Sequence, residues 1–154
     1  MDLAPSADEA GLLGGAVRPI YYTNRDAANE LAVKYFIEDK YRCRFTLTMP
    51  LDPVDAVISD VEDIIVALVE IKTRRNASDK YPTYMLGAAK ADMMMGIADS
   101  MGALPLLMVK FTDGIFLTKI KDGFERKRGG RYDRGDALDV EECIFIPMDK
   151  FRQL

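Results

Sequence analysis

Histidine is absent from the 154 residues. That gap excludes Ser-His and Cys-His nucleophilic catalysis and every metal site built on imidazole. Cysteine is scarce: Cys43 and Cys143 are the only two. This argues against a disulfide scaffold and fits a reducing compartment, so a cytoplasmic setting is expected. No apolar run approaches the roughly 18 residues of a membrane span, so no membrane partner is expected. The stretch Met1 to Gly15 lacks a basic n-region and a long apolar h-region, so it does not read as a signal peptide. A phosphate-cradling loop is missing as well. Gly11-Leu12-Leu13-Gly14-Gly15 has no following Lys-Ser/Thr and no preceding strand.

The length suits one domain with a sizeable core. Residues 1–19 are rich in glycine and alanine and read as a flexible N-terminal arm, leaving 20–154 as a single domain. Thr23 and Asp26 resemble a capping box opening a helix that runs to about Asp39, with an apolar stripe of Ala27, Ala28, Leu31, Ala32 and Tyr35. Tyr41 to Thr48, Val54 to Ser59 and Ile64 to Lys72 read as three strands. They are separated by the Met49–Pro53 break and the Asp60–Asp63 turn. Pro82 suits the first turn of a second helix, which Gly102 ends after about Met101. Strands over Leu106 to Phe111 and Ile115 to Ile120 follow, and a short one over Glu142 to Ile146. The order predicts an α/β protein with helices layered on a mixed sheet.

The third strand carries the chemistry. Val66-Ala67-Leu68-Val69 is apolar on both faces, as in a central strand covered on both sides. Glu70 and Lys72 then point to one face of it. Ionised groups there are costly unless they are paired or bind a metal. Asp55 opens the second strand, and the turn would fold it beside Glu70. Two adjacent carboxylates without histidine or cysteine suit Mg²⁺ or Mn²⁺, with the Ile71 carbonyl as a further oxygen. Lys72 would then orient a water or stabilise developing negative charge. A cross-strand ion pair of Lys72 with Asp55 or Glu70 explains the same spacing.

Lys90 falls in the middle of the second helix's apolar stripe of Leu86, Met93, Met94, Ile97 and Met101. It either snorkels to an edge or reaches a buried acceptor such as Glu70. Glu30 on the first helix is a further candidate acid, and Asn29 beside it competes for the position facing the site. The net charge of −4 does not announce a nucleic-acid binder. Yet Lys119, Lys121, Arg126, Lys127, Arg128, Arg131 and Arg134 crowd one segment. It reads either as a solvated loop or as a flexible loop over a phosphate backbone.

Asp55, then Glu70-Ile71-Lys72 after a turn and an apolar strand, resembles the PD-(D/E)XK nuclease superfamily. The αβββαβ order from Thr23 to Ile120 matches that family's core, and Thr73-Arg74 after the lysine is common in its resolvase-like branches. The motif departs in one respect: Val54, not proline, precedes Asp55, and Pro53 lies one residue earlier.

The resemblance implies a restriction-endonuclease-like fold and a Mg²⁺- or Mn²⁺-dependent deoxyribonuclease. Its metal ligands would be Asp55, Glu70, the Ile71 carbonyl and, by looser alignment, Glu30. Its catalytic set would be Asp55, Glu70, Lys72 and Lys90, and its DNA contacts Arg74 and the basic segment. It further implies an endonuclease acting on branched or otherwise structured DNA, possible homodimers, and host cytoplasm for a phage enzyme. The alternative is an inactive nuclease-fold module that binds DNA within a replication, recombination or packaging complex.

Overall fold

The structure is a computed structural model that describes residues 24–49, 51–130 and 140–154. Residues 1–19, Thr23, Arg131 and Arg134 lie outside the described residues. The described elements are α1 (Asn24–Lys40), β1 (Arg44–Leu47), β2 (Ala56–Ser59), β3 (Ile65–Thr73), β4 (Thr83–Gly87), α2 (Ala88–Met101), β5 (Leu104–Phe111), β6 (Gly114–Lys119), β7 (Glu125–Gly130), β8 (Val140–Pro147) and β9 (Arg152–Gln153). The fold is mixed α/β, as the sequence order predicts. No described helix is long and apolar enough to cross a membrane.

A six-stranded sheet runs β1-β2-β3-β5-β6-β9, and a three-stranded sheet runs β4-β8-β7. β3 pairs in parallel with β5, while β1–β2, β2–β3 and β5–β6 are antiparallel, so the large sheet is mixed. The turn into β3 is fixed by Asp60, whose Oδ1 accepts the N–H groups of Glu62 at 2.8 Å and Ile64 at 3.0 Å.

Alternation along β3 splits the core into two layers. Val69 and Ile71 pack with Met108 under Val33 and Ile37 of α1. Leu68 packs with Leu107, Val109 and the small sheet under Ala88, Ala91, Met94 and Ala98 of α2. Glu70 and Lys72 share the parity of Leu68 and therefore face the α2 side.

Four sequence expectations are corrected. The second helix starts at Ala88, and the stretch after Pro82 is strand β4, with Tyr84 and Leu86 buried in alternation. The buried face of α2 consists mainly of alanines, which let the helix approach the sheet closely, whereas Met93 and Met101 are exposed. On α1 the buried pair is Val33 and Ile37, while Leu31 and Tyr35 face outward. Arg126, Lys127 and Arg128 lie on β7, paired with β8, and not in a flexible loop. Met85 packs so closely on Gly129 of β7 that a Cβ there would sit 2.5 Å from its Sδ.

Candidate active site

Asp55 lies one residue outside the β2–β3 ladder, whose last pair is Ala56 with Val69. Its N–H donates to the Val69 carbonyl at 3.0 Å, and its Oδ2 accepts the Ile71 N–H at 2.8 Å. The carboxylate thus occupies the place a next β2 residue would have filled. A strand residue presents its N–H and C=O to the same neighbour, so the Ile71 carbonyl opens toward Asp55 as well.

Glu70 is 3% exposed. Lys72 Nζ stands 3.3 Å from its Oε1, and Lys90 Nζ 3.2 Å from its Oε2. Lys90 donates to the Pro53 carbonyl at 3.0 Å, and Oε2, in ionic contact with the same ammonium, is buried without a hydrogen-bond partner. Lys90 stands in the first turn of α2, which is how a lysine beside a buried helix face reaches the sheet. Burial first, then the charge of Glu70, push the Asp55 carboxyl up to about 7, against the pull of the Ile71 N–H.

A divalent cation fits this donor set. Asp55, Glu70 and the Ile71 carbonyl are hard oxygen donors, and a cation would stabilise the ionised Asp55 that burial and the Glu70 charge disfavour. The described residues contain no cluster of three acidic or sulfur ligands, so the side-chain donors are the two carboxylates. Glu30 stands near enough to raise Asp55 further through its charge. Asn29 instead accepts from Lys110 Nζ at 3.2 Å.

The family model described as "Phage putative PDDEXK endonuclease" matches residues 16–154. The chain belongs to that family. A comparison with curated protein sequences finds no match. The fold is similar to that of Hjc, a Holliday junction resolvase from the archaeal hyperthermophile Archaeoglobus fulgidus. The TM-score is 0.61 at 12% identity, over 85% of this chain and 93% of that one. This PD-(D/E)XK chain is therefore a nuclease of restriction-endonuclease-like fold, as its motif predicts.

The basic candidates of this endonuclease-family chain fall into different settings. Arg74 is exposed beside the site, its guanidinium 4.9 Å from the centre of the Tyr84 ring. Arg126 is committed to Asp92 at 2.6 Å and Glu142 at 3.2 Å, tying α2 to β8. Lys127 lies 4.5 Å over the Phe145 ring, and Lys121 5.7 Å over Phe124. Lys119 and Arg128 are exposed.

Sequence reasoning missed Tyr84. It is 5% exposed, and its hydroxyl has no hydrogen-bond partner. Burial first raises its pKa; the Arg74 charge opposes that and the Glu70 charge adds to it, so the ring stands among the site's charges. The alternation Thr83-Tyr84-Met85-Leu86 is the signal that finds it.

Proposed function

We propose that this chain is a Mg²⁺- or Mn²⁺-dependent endonuclease that hydrolyses phosphodiester bonds in branched DNA. The observation that carries the reading is the pairing of Asp55 with the end of β3, beside the buried Glu70 and the two lysines, Lys72 and Lys90, that stand against its carboxylate. The fold likeness to a Holliday junction resolvase supports branched DNA as the substrate. Paired cuts across a four-way junction need two copies of the site, so a homodimer belongs to the reading.

Asp55, Glu70 and the Ile71 carbonyl would hold the cation, which when bound supplies neutralisation of phosphate charge. The protein's own groups do the rest. The Ile71 N–H fixes the Asp55 carboxylate at 2.8 Å. Lys90 anchors Glu70 from α2 and is itself held by the Pro53 carbonyl. The Lys72 side chain is 38% exposed, so its ammonium can leave Glu70 and donate to a non-bridging phosphate oxygen, where negative charge develops in the transition state. Water attacks phosphorus in line and gives up a proton to solvent, and the 3′ or 5′ oxygen departs with a proton taken from solvent.

The test is cleavage of four-way, nicked and linear DNA with Mg²⁺ or Mn²⁺ by the native chain, Glu70→Ala and Lys72→Ala. Metal-dependent cutting of the junction, lost in both variants, is expected. Native protein that binds DNA and never cuts it, or full activity in both variants, overturns the reading.

A further inference from the structure

We propose that the aromatic cavity beside Arg74 receives an unstacked nucleobase of the DNA strand whose phosphate lies at Lys72 and Lys90. This rests on the nuclease reading and adds a subsite to it.

Two cavities adjoin along β4. One, of about 220 Å³, is lined by three cations, Lys72, Arg74 and Lys90, against one carboxylate, Glu141, with Met85 at its edge. The other, of about 330 Å³, is lined by Arg74, Tyr81, Tyr84, Met85, Phe111 and Phe145 among others. Arg74 and Met85 belong to both, so a cationic end and an aromatic end meet at one guanidinium. A nucleotide has the same polarity, an anionic phosphate and a flat aromatic base. Aromatic faces and a guanidinium are the groups on which unpaired bases stack.

The Tyr84 hydroxyl is the second observation. It is buried without a partner. Buried tyrosine hydroxyls ordinarily find one, and the edge of a base would supply it. Tyr84 packs edge-on against Phe111 at 6.3 Å and Phe151 at 6.0 Å, which holds its ring in place as a wall of the cavity.

A base stacked inside a duplex cannot enter such a cavity unless it is first unstacked, which costs free energy. Junction centres, flaps and single strands offer bases free of that cost. The cavity therefore selects DNA with unpaired nucleotides, by shape and not by sequence.

The experiment measures binding of the full chain in EDTA, where cleavage is suppressed. The probes are a single-stranded oligonucleotide carrying 2-aminopurine and its fully paired duplex, at one salt concentration. Single-stranded DNA is expected to bind at least about tenfold tighter, with quenching of the 2-aminopurine emission. Tyr81→Ala removes an exposed wall with little risk to folding and should weaken single-strand binding several-fold while leaving duplex binding unchanged. Tyr84→Phe should weaken single-strand binding and raise the melting temperature together, because it removes an unpartnered hydroxyl. Equal single-strand affinity in native protein and both variants overturns the subsite while the nuclease reading stands. Absence of all DNA binding by native protein overturns both.

Discussion

The N–H of Ile71 donates to Oδ2 of Asp55 at 2.8 Å. A strand residue that would ordinarily pair with backbone pairs instead with a carboxylate, and the chain loses no hydrogen bond by ending β2 there. Asp55 is thereby held against β3, in burial, beside the charge of Glu70. Its carboxyl rises from 3.8 to about 7 in consequence.

That rise links metal, pH and stability. Between those two values the folded chain keeps a proton on Asp55 that the unfolded chain has released. Stability of the metal-free protein should then fall as pH rises from about 4 to about 7. A divalent cation binds the ionised form, so its affinity should increase as pH rises through that window and level off above about 7, with a proton released into buffer. Calorimetric titration with Mn²⁺ in two buffers of different ionisation enthalpy reads the proton directly. Asp55→Asn should abolish the release and flatten the pH dependence of metal-free melting. A proton count of zero in the native protein near pH 6.5 would contradict the account.

The two lysines around Glu70 should separate by their effects. Lys72 is the more exposed and reaches one carboxylate oxygen; Lys90 joins Glu70 to the Pro53 carbonyl. Lys72→Ala should lower single-turnover cleavage about 10²-fold or more, with stability changed little. Lys90→Ala should destabilise the protein by about 1–3 kcal/mol, because it removes the hydrogen bond that ties α2 to the Pro53 carbonyl as well as an ion pair to Glu70. Urea unfolding and single-turnover rates measured on both variants check this. Equal loss of stability in the two would mean that Lys72 is the same kind of structural partner as Lys90.

The site was legible in the sequence because its signal is local. Two charged residues at period two after an apolar run need no tertiary information to stand out. Asp55 followed from a turn whose Asp60 fixes its own geometry. β4 was hidden because Pro82 serves a strand entry as readily as a helix entry. β7 was hidden for another reason: four exposed charged residues in a row erase the alternation by which strands are read, and only its pairing with β8 reveals it. On α1, small and amphipathic residues blurred the stripe that Val33 and Ile37 alone define.

The basic strand predicts an asymmetry in DNA affinity. Arg126 is already neutralised by Asp92 and Glu142, whereas Arg128 stands exposed on the same strand face. Arg128→Ala should reduce the slope of log affinity against log salt by about 1, the value of one lost phosphate contact. Arg126→Ala should leave that slope unchanged. Salt titrations of binding to one duplex compare them. A steeper loss in Arg126→Ala than in Arg128→Ala would show that DNA displaces its acidic partners.

The turn far from the site supplies the opposite kind of test. Asp60 accepts two backbone N–H groups, from Glu62 and Ile64, and closes the turn through which β2 returns along β3. Asp60→Ala removes both acceptors in an exposed turn, for a loss of about 1 kcal/mol. The ladder itself, and with it the position of Asp55 against Ile71, depends on buried pairs such as Ala56 with Val69. Cleavage rates at a temperature where the variant is fully folded should therefore equal the native ones, while the melting temperature drops by a few degrees. A large loss of activity in folded Asp60→Ala protein would mean that the turn, and not the buried ladder, holds Asp55 in register.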